Sequence, residues 1–247
     1  MAASVDNDIA VVMVTHVNYQ TGAMHNLAEI TQAAHGAGAL MLWDLSHSAG
    51  AVLVALNLVD ADFAVGCGYK FLNGGPGAPA FLFVAGRLQD EIAPPFEFAD
   101  DYRPAPGILR NLCGTPSVPS LTALETGLDP FLTADIMEIR RKSLALTDRF
   151  MTLVGSRCAG FGIVIDTPRA DTARGSQVSL RHENAYPTMQ ALIARGVIGD
   201  FRAPNIMRFG MAPLYLRHID IWDAVEHLRS IMETRGWDRP EFKAAPQ

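Results

Sequence analysis

Asp62-Phe63-Ala64-Val65-Gly66-Cys67-Gly68-Tyr69-Lys70-Phe71-Leu72-Asn73-Gly74-Gly75-Pro76-Gly77 joins an apolar run to a glycine-rich turn, with a single amine at the junction. A lysine that closes a buried strand is partly desolvated, which disfavours its charged form and makes it a usable nucleophile toward an aldehyde. Just upstream, Ala39-Leu40-Met41-Leu42-Trp43-Asp44 is a second apolar run ending in a carboxylate. A short amphipathic stretch links the two, so the segment reads as strand, crossover helix, strand, with Asp44 and Lys70 at neighbouring strand ends. An acid and an amine then face one crevice.

The same alternation extends outward. Ile9 to Thr15 is a near-continuous β-branched run, as expected of a strand buried on both faces of a parallel sheet. Asn26 to Ala37 has helical spacing and ends at glycines, and a short helix is expected near His47 to Leu53. Ala80 to Val84 predicts a further strand, antiparallel because only a short turn precedes it. From Pro94 to Pro119 repeated prolines exclude long regular elements. Helices are expected over Ser120 to Leu128 and Thr133 to Val154, with Thr133 as the cap of the second and Asp135 in its first turn. The pattern then restarts with strands at Phe161 to Ile165, Gln177 to Leu180, Gly196 to Ile198 and Ile206 to Met211. Helices are expected over Pro187 to Arg195 and Asp220 to Thr234. The organisation is an α/β part over residues 1–132, a connecting helix over 133–154 and a small α+β part over 155–247.

Composition narrows the function classes. The chain has 247 residues, 49% of them hydrophobic, enough for a sizeable core. Its net charge is −6 and its basic residues are scattered, which argues against a nucleic-acid or anionic-membrane surface. Cys67, Cys113 and Cys158 lie far apart, which disfavours a disulfide framework and a zinc cage and fits a reducing, cytoplasmic setting. No apolar stretch reaches bilayer-spanning length, and the first residues lack the basic start of a secretory signal.

Four features could carry chemistry, and each has a plainer reading. Asp44 could cap the helix expected after it, with His47 a partly buried polar residue on that helix, or point into the crevice where α/β sheets bind ligands and hold a protonated ring nitrogen. Gly74-Gly75-Pro76-Gly77 lacks the Gly-Lys-Ser/Thr ending of a phosphate-binding P-loop and reads better as a tight turn. His16, Asp44 and His47 lie near strand ends but without metal-ligand spacing, so no metal site is expected. Arg208, in Asn205-Ile206-Met207-Arg208-Phe209-Gly210, is either an edge-strand arginine facing water or a bidentate clamp for a substrate carboxylate.

Taken together, several stretches resemble kynureninase, a pyridoxal-phosphate enzyme family of the aspartate-aminotransferase fold (fold type I). They are His16 to Gly22, Trp43 to Gly50, Asp62 to Pro79, Tyr102 to Gly107, Leu112 to Pro116, and Arg208. The resemblance spans nearly the whole chain, and the run from Gly68 to Pro79 is its most specific part. It implies a partial, mostly parallel large domain followed by a small α+β C-terminal domain. It makes Lys70 the lysine bonded to pyridoxal 5′-phosphate and Asp44 the partner of the pyridinium nitrogen. Tyr69 and His47 would contact the phosphate or its surroundings, and Tyr69 is also a candidate proton relay. Thr15 would lie near the ring, and Thr115 would complete the phosphate site, in this family from the neighbouring subunit of a homodimer. Arg208 corresponds to the substrate-carboxylate ligand. The implied reaction is hydrolytic cleavage of L-kynurenine or 3-hydroxykynurenine to anthranilate or 3-hydroxyanthranilate and L-alanine, within tryptophan catabolism toward NAD.

Two departures from the family pattern stand out. The family's N-terminal portion, with its phosphate-binding turn and a ring-stacking aromatic, has no counterpart before Ile9. Nor does its Gly-Trp-x-Gly-His segment between Phe83 and Phe96-Glu97-Phe98, where this chain has Arg87 to Ala93. The expectation is a truncated kynureninase with impaired cofactor binding and exposed apolar sheet faces. A class V aminotransferase or cysteine desulfurase is the rival enzyme, the latter needing Cys113 as its reactive thiol. A non-catalytic fragment is the other alternative.

Overall fold

The computed structural model describes residues 8–93, 104–112 and 114–243. Tyr102, Arg103, Cys113 and the Phe96-Glu97-Phe98 stretch lie outside the described residues. The chain divides into two units, Met1–His16 with His25–Thr133, and Val17–Met24 with Ala134–Gln247.

Unit 1 contains β1 (Val11–Thr15), α1 (Leu27–Gly36), β2 (Leu40–Asp44), β3 (Phe63–Cys67), β4 (Ala80–Val84) and α2 (Val118–Leu128). Its sheet has the order β1-β2-β3-β4, parallel across the first three strands and antiparallel at β4. This is the mixed, mostly parallel α/β sheet that the strand pattern implied. The Asn26 side chain caps α1 by accepting from the Ala28 and Glu29 N–H groups. Alternate residues of the strands, Met41, Trp43 and Ala64, pack with Ala34 of α1 into one core, joined by Val12, Val14, Ile30, Phe81 and Phe83. Trp43 is fully buried, and its indole N–H donates to Thr31 Oγ1 on α1 at 3.1 Å, which fixes the helix against the sheet.

The crossover between β2 and β3 differs from expectation. Residues 46–51 form successive turns instead of a helix, because Asp44 Oδ1 accepts the Ser46 N–H at 2.8 Å and Gly50 has φ +85°. β3 is fastened below by Asp62. Its buried carboxylate accepts from Met41 N at 2.6 Å, His35 Nε2 at 2.8 Å and Arg87 Nη2 at 2.5 Å. Burial alone would raise this carboxyl's pKa, but those three donors hold it below the usual value.

Unit 2 contains α3 (Ile136–Arg157), β5 (Val164–Ile165), β6 (Gln177–Arg181), α4 (Ala185–Ile193), β7 (Asp200–Arg202), β8 (Ile206–Gly210), α5 (His218–Glu233) and the short α6 (Pro240–Lys243). The cap of α3 is Asp135, whose carboxylate accepts from Met137 N at 2.8 Å, so the helix starts two residues later than a Thr133 cap would place it. Ile139, Ser143, Leu146, Phe150 and Val154 form its buried stripe at helical spacing. They join Val178, Leu180, Met207, Phe209 and the inner face of α5 in one core. The antiparallel sheet has the order β5-β6-β8-β7. β7 was not anticipated, and Gly196 to Ile198, read as a strand, are turn and loop.

Candidate active site

Three parallel strands deliver their C-terminal ends side by side. Thr15 pairs with Asp44, and the exits are held together by His16 N to Asp44 O at 2.9 Å and Leu45 N to Val65 O at 2.8 Å. Open α/β sheets bind ligands at these ends. Beyond β3 the chain enters the Gly68–Pro79 loop, closed at its base by Gly68 N to Pro79 O at 2.9 Å and inside by Gly74 N to Gly68 O at 2.9 Å. Gly68 and Gly74 of this loop serve close approach. A Cβ at Gly74 would stand 2.7 Å from Ala78 Cβ and 2.9 Å from Gly68 O. The run is a packed turn, and Asn73 N to Lys70 O at 3.0 Å fixes where the lysine leaves it.

The turn after β2 is pressed onto the same loop. A Cβ at Gly50 would meet Phe71 O at 2.8 Å, so only glycine permits the approach that carries His47 to the lysine. Lys70 Nζ lies 3.1 Å from His47 Nε2, with both side chains half-buried. Such a contact needs a lone pair on one of the two nitrogens, so the imidazole and the amine share a proton between them. The half-exposed Tyr69 ring has its centroid 5.4 Å from the same Nζ. Asp44 keeps one carboxylate oxygen on the Ser46 N–H.

Thr15, Asp44, His47, Tyr69 and Lys70 therefore belong to one end of one sheet in unit 1. Thr115 also belongs to unit 1, on an exposed stretch before α2. The contact of His47 with the Lys70 amine did not come from the sequence. The donor set suits an aldehyde-bearing ring with a basic nitrogen: an amine with a proton acceptor beside it, and a carboxylate at the end of the neighbouring strand.

Arg208 belongs to unit 2 and is not on an edge strand, because β7 flanks β8 on one side and β6 on the other. Its side chain is only 10% exposed. The reading of a water-facing edge arginine is overturned by that burial. The guanidinium instead holds Asp200, through Nε at 2.9 Å and through Nη2, and donates from Nη1 to the Tyr19 carbonyl at 2.6 Å. Asp200 was not singled out from the sequence, and the His16 to Gly22 stretch was noted only as part of the family resemblance. Asp200–Arg202 faces Ile206–Gly210 across a proline-containing turn, but three residues are too few to show a strand period. A cleft of about 510 Å³ in unit 2, lined by Phe150, Phe209, Met211, Ile221 and His227 among others, contains none of the residues expected to carry chemistry.

Comparison with known proteins bears on the family and the fold. Residues 139–228 match the family model for the kynureninase C-terminal domain. The chain is 55% identical to a kynureninase of Burkholderia mallei, over 97% of this chain and 60% of the relative. It is 48% identical to a kynureninase of Pseudomonas fluorescens, again over 97% of this chain and 60% of the relative. Among solved structures, the apo cysteine desulfurase of Thermococcus onnurineus superposes with a TM-score of 0.74 at 20% identity, covering 91% of this chain and 60% of that one. That likeness carries the fold alone. The chain spans about three fifths of the length of the curated relatives it matches. Residues 139–228 thus match the kynureninase C-terminal domain, in a chain that is similar to kynureninases along nearly its whole length.

Proposed function

We propose that this chain carries the lysine-bearing portion of a kynureninase, a pyridoxal-phosphate-dependent hydrolase that cleaves L-kynurenine or its 3-hydroxy form to anthranilate or 3-hydroxyanthranilate and L-alanine. The observation that carries the reading is the Lys70–His47 contact at 3.1 Å, at the sheet end that also presents Asp44. Support comes from the similarity to kynureninases over 97% of the chain.

When bound, the cofactor supplies an electron sink for carbanions formed on the amino-acid substrate. The chain's own residues hold and move protons around it. Asp44 keeps the ring nitrogen protonated through a charge-assisted hydrogen bond. Lys70 would hold the cofactor at its aldehyde and would move the substrate's α proton, with His47 as the adjacent acceptor. Tyr69, half-exposed beside the amine, is placed to relay a proton in the later steps. Thr15 lies at the ring, Thr115 completes the phosphate site of a homodimer, and Arg208 takes the substrate carboxylate. In this reading the enzyme acts in the cytoplasm, in tryptophan catabolism toward NAD.

Anthranilate release, followed by fluorescence with L-kynurenine and added pyridoxal phosphate, tests the reading. The expected result is turnover that Lys70→Ala abolishes. Alanine and sulfide from cysteine, with no anthranilate from kynurenine, would instead favour a desulfurase. Turnover surviving Lys70→Ala would remove the lysine from the chemistry.

A further inference from the structure

Arg208 is held on two sides within unit 2. β7 and β8 pair antiparallel with Asp200 opposite Arg208, so the carboxylate meets the guanidinium along its Nε–Nη2 edge. On the other side, Nη1 donates to the Tyr19 carbonyl at 2.6 Å. That carbonyl is itself fixed. Gln177 Nε2 donates to it at 2.9 Å, Ser179 Oγ donates to the next carbonyl, Gln20 O, at 2.6 Å, and Thr167 Oγ1 donates to Thr21 O at 2.7 Å. Within the loop, Asn18 Oδ1 accepts the N–H groups of Gln20 and Thr21.

A guanidinium has five N–H groups, one on Nε and two on each terminal nitrogen. Asp200 takes one from Nε and one from Nη2, and Tyr19 takes one from Nη1. One N–H therefore remains on each of Nη1 and Nη2, available to the oxygens of another carboxylate. Charge points the same way. Asp200 Oδ2 also accepts from Arg202 Nη2 at 3.3 Å, so a single carboxylate faces two guanidinium groups and leaves the cluster short of negative charge. Asp200 thus restrains the arginine without using up either its outer edge or its attraction for an anion.

We propose that Asp200 is a positioning residue, which sets the Arg208 guanidinium so that its Nη1 and Nη2 edge receives the carboxylate of the amino-acid substrate. The inference rests on the reading of Arg208 as the substrate-carboxylate ligand, and it adds the residue that makes this ligand directional. Without Asp200 the arginine keeps its charge but loses the edge-on restraint, so the contribution of the carboxylate to binding falls while contacts to the rest of the substrate stay.

The test compares two ligands, L-kynurenine and kynuramine, which lacks only the carboxylate. Each is titrated into the cofactor-free chain by ligand-observed NMR, and the ratio of the two dissociation constants isolates the carboxylate. The wild-type chain is expected to prefer L-kynurenine by about tenfold or more, the scale of one charge-assisted pair, and Arg208→Ala should reduce the ratio to about one. Asp200→Ala should reduce the ratio to about two or three with kynuramine affinity unchanged, and Asp200→Asn, which can still accept one hydrogen bond, should fall between. A wild-type ratio near one, no measurable binding of either ligand, or a ratio insensitive to Arg208→Ala overturns the Arg208 reading and the inference with it. A ratio that responds to Arg208→Ala but not to either Asp200 variant overturns the inference alone. So does an equal loss for both ligands in Asp200→Ala and Asp200→Asn, which marks a purely structural role.

Discussion

Lys70 and His47 share one hydrogen bond, and the chemistry of the candidate site turns on which partner holds the proton. Removing the imidazole leaves the amine without its adjacent proton acceptor. His47→Ala is therefore expected to slow covalent capture of pyridoxal phosphate by Lys70 about tenfold, at the lower limit of general acid–base effects, with His47→Gln recovering part of the rate. Stopped-flow absorbance of the bound cofactor reads this directly, and unchanged rates in both variants would make the contact incidental. At this scale the sequence was informative where a residue type is chemically rare in its setting, as with an amine after a buried strand or a carboxylate at a strand end. It was silent where a role depends on a partner distant in the chain. The 3.1 Å contact links residues separated by 23 positions, and the Asp200–Arg208 pair depends on a three-residue strand too short to show a period.

At the scale of elements, Asp62 ties three pieces of unit 1 together. It receives the N–H of Met41 on β2, the ring of His35 on α1, and Arg87 after β4. Replacing it with alanine removes hydrogen bonds to a buried anion and should cost about 2 kcal/mol of stability at neutral pH. Urea unfolding measures this, and a loss within error of zero would contradict the role. The pH dependence follows from the lowered folded-state pKa. The stabilisation is fully present above the unfolded carboxyl's value, near 4, and is lost as pH falls through the lower folded value. The difference in stability between wild type and Asp62→Ala should accordingly shrink below about pH 4. Strands with alternating or continuous apolar runs, β1 to β4, were legible from the sequence because burial writes itself into composition. The 46–51 turns were not, since Ser46 to Leu53 carries enough apolar residues to mimic a helix while Asp44 and Gly50 set the backbone locally. The cap of α3 moved from Thr133 to Asp135 for a related reason: both residue types can cap, and the buried stripe from Ile139 selects the register.

For the molecule as a whole, the most consequential surface is the second face of the unit 1 sheet. Residues paired across the strands place Val11, Met13, Leu40, Leu42, Phe63, Val65 and Leu82 on the face opposite Trp43 and α1. Of these, Met13 is 64% exposed and Val11 47%, and Leu40 and Leu82 are exposed as well. Parallel sheets ordinarily bury both faces, and an apolar face of this kind is an association liability. The chain is expected to bind a hydrophobicity-reporting dye such as ANS while retaining cooperative unfolding. The double variant Met13→Glu with Leu82→Glu should bind at most about half as much. Equal dye binding by the variant would place the reporting surface elsewhere. The α/β class and the kynureninase likeness were both readable in the sequence, the latter through the Gly68 to Pro79 run. The exposed face was expected only in general terms, because whether an apolar strand is covered depends on what packs against it.

The most direct measurement uses the chain's small complement of lysines, Lys70, Lys142 and Lys243. The purified chain is mixed with pyridoxal phosphate, reduced with borohydride, digested, and mapped by mass spectrometry. The account predicts that the reduced cofactor is found on Lys70, well above its level on Lys142 and Lys243, and that Asp44→Asn lowers its occupancy. Label spread evenly over the three lysines, or absent from Lys70, would contradict it.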